Sequence, residues 1–415
     1  MPVGSPEGHE DAGMSVGSPE RHGNADAPTG SPERHGNAGA STGSPERHGN
    51  AGASTGSPER HGNADAPTGS LKRRGNTGAS TGSLEEPQRE VACVGPASGA
   101  LLVVGDVITD VVARHRGPLA ARTDTVAAIR TLPGGAGANV ACWAAHWGGG
   151  EVRLLGRVGT EGAAWHEREL TACGVRPRLV VDPEAPTGTV ICLVDTDAAA
   201  ERTLLTDSGA SLRLDADDWS DALLDGVARL HLSGYLLFAA PSRAFVAVAL
   251  EAARARGVPV SLDPASAGFL DKLGVDRFLT LVEGIDILLP SRDEAYLLTG
   301  LPDAEDAAAK LSRHVPLVVA KQGSDGALVA RSGTVSARVP AVPATPTDTT
   351  GAGDAFTGAF LAALLTGAEA EDAAREGCRA GARAVEAVGG RPPAERRSGP
   401  STGGTSPHGQ GWAPR

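Results

Sequence analysis

The sequence predicts an α/β fold: a central, mostly parallel sheet flanked by helices on both faces, with a small β-sheet lid. Three observations carry that expectation. Short apolar runs alternate with stretches of helical spacing through the middle of the chain. The runs are nearly continuous in apolar residues, as strands covered on both faces must be. Two segments, 107–130 and 179–208, break the rhythm with a β-rich, turn-rich composition and read as a separate small sheet.

The strand signals fall at 101–105, 151–155, 188–194, 229–232, 258–262, 286–289 and 316–320. Helical spacing occupies 138–147, 165–173, 241–256, 291–299, 303–314, 353–365 and 370–388. The 415 residues therefore divide into an arm (1–92), a folded block (93–392) and a tail (393–415). The arm repeats a 13-residue unit, Gly-Ser-Pro-Glu-Arg-His-Gly-Asn-Ala, starting at Gly17, Gly30, Gly43 and Gly56. It contains almost nothing to bury, so it cannot offset the entropy of ordering and is read as disordered. His22, His35, His48 and His61 recur with the repeat and are read as copied with it rather than as metal ligands. The tail, rich in Gly, Pro and Ser, is read in the same way.

Net charge is −12, from 38 basic and 50 acidic residues, and no basic stripe is present. That argues against nucleic acid or an anionic membrane as partner. No apolar run approaches a bilayer span, and the N-terminus lacks the apolar core of a secretory signal. Cys93, Cys142, Cys173, Cys192 and Cys378 form no CxxC pair, so reduced thiols and a cytoplasmic location are expected.

The chemistry-bearing run is Asp348-Thr349-Thr350-Gly351-Ala352-Gly353-Asp354, which opens into an Ala/Leu/Phe helix. Small residues before a helix let backbone N–H groups point at an anion, and the helix dipole adds positive potential. A carboxylate in the first turn stands where it can take a proton from an attacking hydroxyl. The same residues also fit a plain capped helix with Asp354 as an ordinary first-turn acid. A second glycine-rich turn, Gly134-Gly135-Ala136-Gly137-Ala138-Asn139, begins another helix. No clear strand precedes it and its spacing is not GxGxxG, so a loop that brings N–H groups close to a polyol fits better than a dinucleotide turn. Asp106 and Asp110 leave the first strand, at the sheet end where open α/β folds bind ligands, and carboxylates suit sugar hydroxyls. For Asp106, turn formation is an equal reading.

Residues 348–361 resemble the C-terminal signature of the ribokinase-like, or PfkB, carbohydrate kinases, and the 134–139 turn resembles their N-terminal signature. The resemblance implies Asp354 as general base, with Gly351, Ala352 and Gly353 as the anion hole. It implies Gly134, Gly135, Asn139 and Asp110 as substrate contacts. Asp348 would lie at the loop that holds a monovalent cation in many members, which adds K⁺ to the expected cofactors. Glu294 matches the acid that organises Mg²⁺ through water, although Ser291 stands where the family usually has asparagine. Lys321, Gly323 and Gly326 match the strand and glycine turn that approach the nucleotide, and Asp263 would stand behind them. Neither a GxxxxGK[ST] loop nor the HRD and DFG motifs of protein kinases is present.

The resemblance therefore implies ATP-dependent phosphotransfer to a sugar or sugar-like hydroxyl, with ATP and Mg²⁺, in a protein able to pair through its lid. Glu201-Arg202-Thr203 adds a cation to the lid, which suits an acidic sugar or equally a solvated hairpin pair. A nucleoside kinase and a catalytically silent sugar-binding regulator are the rival readings. Only 3% of residues are aromatic, with Tyr235 and Phe238 the candidates for base stacking, so a sugar or sugar acid is preferred.

Overall fold

The computed structural model describes residues 99–197 and 201–393, the side chains of 201 and 202 excepted. The readings made for the repeat arm, its histidines, the tail and the Arg202 cation fall outside what is described. In chain order the elements are β1 (Ala100–Val104), β2 (Ile108–His115), β3 (Ala127–Gly134), α1 (Ala136–His146), β4 (Val152–Gly159), α2 (Ala163–Ala172) and β5 (Val175–Asp182). There follow β6 (Thr187–Asp195), β7 (Glu201–Gly209), β8 (Val227–Ser233), α3 (Ala240–Arg256), β9 (Val260–Asp263), α4 (Ala267–Leu273) and α5 (Val275–Leu281). The remainder are β10 (Ile287–Leu288), α6 (Arg292–Thr299), α7 (Ala304–Leu311), β11 (Leu317–Lys321), β12 (Ala327–Arg331), β13 (Thr334–Val339), α8 (Ala352–Leu365) and α9 (Ala370–Val385).

Nine strands form the main sheet in the order β13-β12-β11-β10-β9-β8-β1-β4-β5. Every pairing from β11 to β5 is parallel, while β12 and β13 add an antiparallel edge. The two-residue period of β1 shows why its strand is apolar throughout. Leu102 and Val104 enter a core with Phe245 of α3 and Phe278 of α5. Leu101 and Val103 enter the opposite core, with Val140 of α1 and Phe356 and Phe360 of α8. Site-bearing helices α1 and α8 thus share one face of the sheet.

The second sheet, β3-β2-β6-β7, is the expected lid. Two details differ from the sequence reading. Residues 179–182 continue β5, paired in parallel with β4, and belong to the main sheet. The glycine turn at 134 does follow a strand, because β3 runs directly into it. That strand was illegible because it lies at the edge of a solvated sheet, where Pro133 is tolerated and Ile129 stays 65% exposed. Among the described residues no helix is long and apolar enough to cross a membrane.

Candidate active site

The site is built around the start of α8. Gly351 is its N-cap at φ 74°, and no side chain caps the helix. A β-carbon on Gly351 would lie 2.4 Å from the Cα of Gly390, so only glycine fits. The first N–H groups of an α-helix have no intrahelical partner, and here Ala352, Gly353 and Asp354 line a cleft of about 1100 Å³. From Ala355 to Leu365 the helix is buried all round, which fixes that mouth rigidly.

Asp354 sits in the first turn. Asn139 of α1 donates from Nδ2 to its Oδ2 at 2.9 Å. Burial raises the carboxyl to about 7; the Asn139 bond opposes this, the Asp263 and Asp106 carboxylates add to it, and Lys321 opposes it. Part of the side chain nevertheless remains open to the cleft.

Asn139, read as a substrate contact, is only 3% exposed and directs Nδ2 at Asp354, while its Oδ1 has no hydrogen-bond partner among the described residues. The two carboxylates after β1 have different employments. Asp106 accepts the N–H groups of Ala136 (2.7 Å) and Gly137 (3.2 Å) and the Ser233 hydroxyl (2.9 Å). It therefore caps α1 from another strand, a refinement of the turn-forming reading. Asp110 has no hydrogen-bond donor among the described residues. Its carboxylate fills the place of a missing side chain at Gly134, where a β-carbon would lie 2.1 Å from Oδ2. Burial, and then Asp106, raise Asp110 to about 7, with Arg391 pulling the other way.

Lys321, at the end of β11, forms a buried ion pair with Asp263 at the end of β9, and Thr357 of α8 donates to the same Asp263 oxygen at 2.9 Å. The ammonium also lies beside the helix start, 3.6 Å from where a β-carbon on Gly353 would be. Burial alone would lower Lys321, but Asp263 and Glu294 more than offset it and its pKa rises. Ser291 and Glu294 form a capping box on α6: Glu294 Oε2 accepts the Ser291 N–H at 2.7 Å, and Ser291 Oγ accepts the Glu294 N–H at 3.3 Å. Burial and the neighbouring Asp263 raise the Glu294 pKa while Lys321 and the Ser291 bonds oppose the rise, so further positive charge at this end of the cleft would favour the Glu294 carboxylate. Mg²⁺ prefers one or two carboxylates with waters and substrate phosphates, and Glu294 fits as one such carboxylate, Asp263 beside it being paired with Lys321.

Gly323 and Gly326 flank a short turn closed by the Gln322 N–H donating to the Gly326 carbonyl (2.7 Å), and both line the same cleft. Asp348 lies apart. Its two oxygens accept the N–H groups of Thr350 (2.9 Å) and Gly389 (3.0 Å), stapling the 348–354 loop to the end of the folded block. One cleft thus gathers Asp354, Ala352, Gly353, Lys321, Glu294, Ser291 and the glycines of the 323–326 turn, whereas Asp110 and Gly134 belong to the lid strands. The sequence reading missed the Thr357 tether and Arg391, since no local pattern marks either.

A family model described as pfkB family carbohydrate kinase matches residues 99–397. A fructokinase from Klebsiella pneumoniae is 33% identical over 279 residues, covering 64% of this chain and 85% of that protein. A ribokinase from Arabidopsis thaliana is 30% identical over 309 residues, covering 70% and 77%. An E. coli protein solved in complex with ATP and Mg²⁺ superposes with a TM-score of 0.62 at 26% identity, over 71% of this chain and 94% of that one.

Proposed function

The chain belongs to the pfkB family of carbohydrate kinases and is an ATP-dependent kinase, and we propose that it phosphorylates a hydroxyl of a sugar or sugar acid held between Asp110 and Asp354. The observation that carries this reading is Asp354 itself, placed in the first turn of an uncapped helix and oriented by Asn139. A carboxyl raised to about 7 is half ionised near neutral pH, which is where a general base is most useful.

The acceptor hydroxyl gives its proton to Asp354 as its oxygen bonds the γ-phosphorus of ATP, while the bond from that phosphorus to the β,γ-bridging oxygen breaks and ADP leaves. The N–H groups opening α8 and the Lys321 ammonium hold the charge spreading over the transferring group. The 323–326 turn forms the far wall of the cleft, where the nucleotide lies. Mg²⁺, when bound beside Glu294 and Asp263, neutralises phosphate charge. Asn139 fixes the carboxylate rotamer, and Asp106 keeps α1, and so Asn139, in place. Asp110, raised and unbonded, accepts hydroxyls of the acceptor. Asp110→Asn is expected to raise KM for the acceptor about tenfold or more, the scale of a lost charge-assisted bond, with little change in KM for ATP. Equal changes in both constants would remove Asp110 from the acceptor site.

Deciding the reading calls for an ADP-release panel over neutral sugars, sugar acids and nucleosides, run beside Asp354→Asn. Turnover with at least one sugar-like acceptor, lost in the variant, is the expected result. A protein that binds sugars yet releases no ADP would be a silent regulator. A nucleoside is the second reading, favoured by the aromatic cluster of Tyr235, Phe238 and Phe269, packed at 4.9–6.0 Å between ring centroids.

The lid supports a further part of the proposal, pairing of two copies. Ile191 and Leu205 lie opposite each other in the β6–β7 ladder and are 38% and 53% exposed, with Ile129 nearby on β3. An apolar sheet face of this kind is costly to leave in water. Ile191→Asp with Leu205→Asp is expected to convert a dimer to a monomer in light scattering. A wild-type monomer at micromolar concentration would refute the pairing.

A further inference from the structure

The least explained group in the molecule is the guanidinium of Arg391. Its Nε and both Nη atoms are buried, and among the described residues none has a nitrogen or oxygen hydrogen-bond partner. A guanidinium does not discharge itself by losing a proton, so burial leaves a full charge in place. An unpaired buried charge is strongly unfavourable, and proteins retain one where an anion completes it.

Arg391 is also held in position. It follows Gly389 and Gly390, whose backbone is fixed at three points. The Gly389 N–H donates to Asp348 at 3.0 Å, and the Trp143 indole donates to the Gly390 carbonyl at 2.9 Å. Gly390 itself packs so closely on Asn139 that a β-carbon would lie 2.3 Å from Nδ2. The residue pair thus connects Arg391 rigidly to Asn139 and, through it, to Asp354. Leu132 of the lid strand β3 packs over Gly389, which puts this turn beneath the lid.

Among the described residues no anion lies in bonding geometry with it. Asp110 feels the Arg391 charge but makes no hydrogen bond with it. His166 is held down at about 4, by burial first and by Arg391 second, so it is neutral; its Nε2 is bonded to the Thr109 hydroxyl at 3.1 Å. Cys142 and Cys173 are near enough for their thiols to respond to the cation. The Cys173 sulfur is a weak acceptor that interacts with the guanidinium, but a neutral thiol does not balance its charge. Among the described residues, the lid side thus holds the carboxylate of Asp110 without a hydrogen-bond donor and the cation of Arg391 without a balancing anion.

We propose that Arg391 is a specificity-determining residue that binds an anionic substituent, carboxylate or phosphate, of the acceptor while Asp110 takes its hydroxyls. This rests on the kinase reading above and narrows its substrate class to acidic or phosphorylated sugars. A planar fork of N–H donors matches either oxyanion in a bidentate way, whereas a neutral sugar leaves the charge unpaired. Access requires the lid to open, since the guanidinium nitrogens are covered in this conformation.

The test compares kcat/KM of the full chain for fructose, gluconate and fructose 6-phosphate, in wild type, Arg391→Gln and Arg391→Lys. Gluconate and fructose 6-phosphate distinguish the two anion sources. The wild type is expected to favour one anionic acceptor over fructose by about 10- to 100-fold, the scale of one charge-assisted pair. In Arg391→Gln that ratio collapses toward one, and Arg391→Lys restores part of it. Thermal stabilisation by the same three compounds without ATP provides a readout independent of turnover, and it must follow the same order. Should Arg391→Gln unfold, the lysine variant and the wild-type stabilisation order still decide. A wild type that prefers fructose overturns the proposal, as does an equal loss on all three acceptors in Arg391→Gln, which would make Arg391 a structural residue. Absence of turnover with every acceptor, alongside an intact preference in the stabilisation series, would instead overturn the kinase reading and leave the anion site standing.

Discussion

Asp354→Asn is expected to lower kcat by about 10³-fold, the middle of the range for loss of a general base, with a much smaller change in KM for ATP. The amide keeps the shape of the carboxyl and can still accept the Asn139 bond, so the variant tests proton transfer rather than architecture. The wild-type pH profile supplies the second half of the prediction. Since the base must be ionised and its pKa is about 7, kcat/KM for the acceptor should rise with pH through about 7 and then level. In Asn139→Ala that limb should move upward, because the lost amide bond had favoured the charged form. Stability runs in the opposite direction. A carboxyl raised in the folded state favours folding most below its unfolded value of 3.8, and that contribution is lost as pH rises through about 7. At pH 8, then, Asp354→Asn should melt higher than wild type, by a few degrees at most given the part-open side chain. An unchanged kcat, or a flat pH profile, would remove Asp354 from the chemistry.

Lys321→Met carries the largest expected loss of stability, about 3–5 kcal/mol, because it leaves Asp263 as a buried carboxylate with its counter-charge gone. The methionine fills a similar volume, so cavity formation contributes little. Asp263 then retains only the Thr357 hydroxyl among its side-chain partners in the ion-pair cluster. Combining Lys321→Met with Asp263→Asn should recover most of the loss in urea titrations, as expected for two sites in contact. Were the single variant as stable as wild type, the pair would contribute nothing to the join between β9, β11 and α8. The double variant should still be impaired in turnover, since the ammonium beside Gly353 is missing.

What could be read from the sequence followed from locality. The turn at 348–354 and the helix after it are contiguous, so the small residues, the acid and the apolar helix appear in a single window. The parallel strands were equally legible, because burial on both faces leaves an unbroken apolar run such as Leu101–Leu102–Val103–Val104. Strand β3 was not, since one face meets water and its residues, Arg130 and Pro133 among them, carry no run at all. The divided labour of Asp106 and Asp110 was also hidden. Four residues apart in the chain, they differ only because the first meets the N–H groups of α1 and Ser233 of β8. The bond between Asn139 and Asp354 was not legible, since the two lie 215 positions apart along the chain. Arg391 escaped entirely: in the sequence it is one more arginine at the start of a Gly/Pro-rich tail.

The seat of Gly390 against Gly351 and Asn139 has a consequence for how the enzyme comes into being. Synthesis runs from the N-terminus, and the sheet with most of its helices can begin to pack while translation is still under way. The last contacts needed to seat Asn139 and the α8 turn, however, come from residues 389–390, which leave the ribosome after every strand has emerged. A nascent chain stalled short of that turn would carry the whole sheet and both glycine loops, yet it would have an unlatched base. Activity should therefore appear in a single step once residues 389–390 are free to pack, rather than growing with chain length.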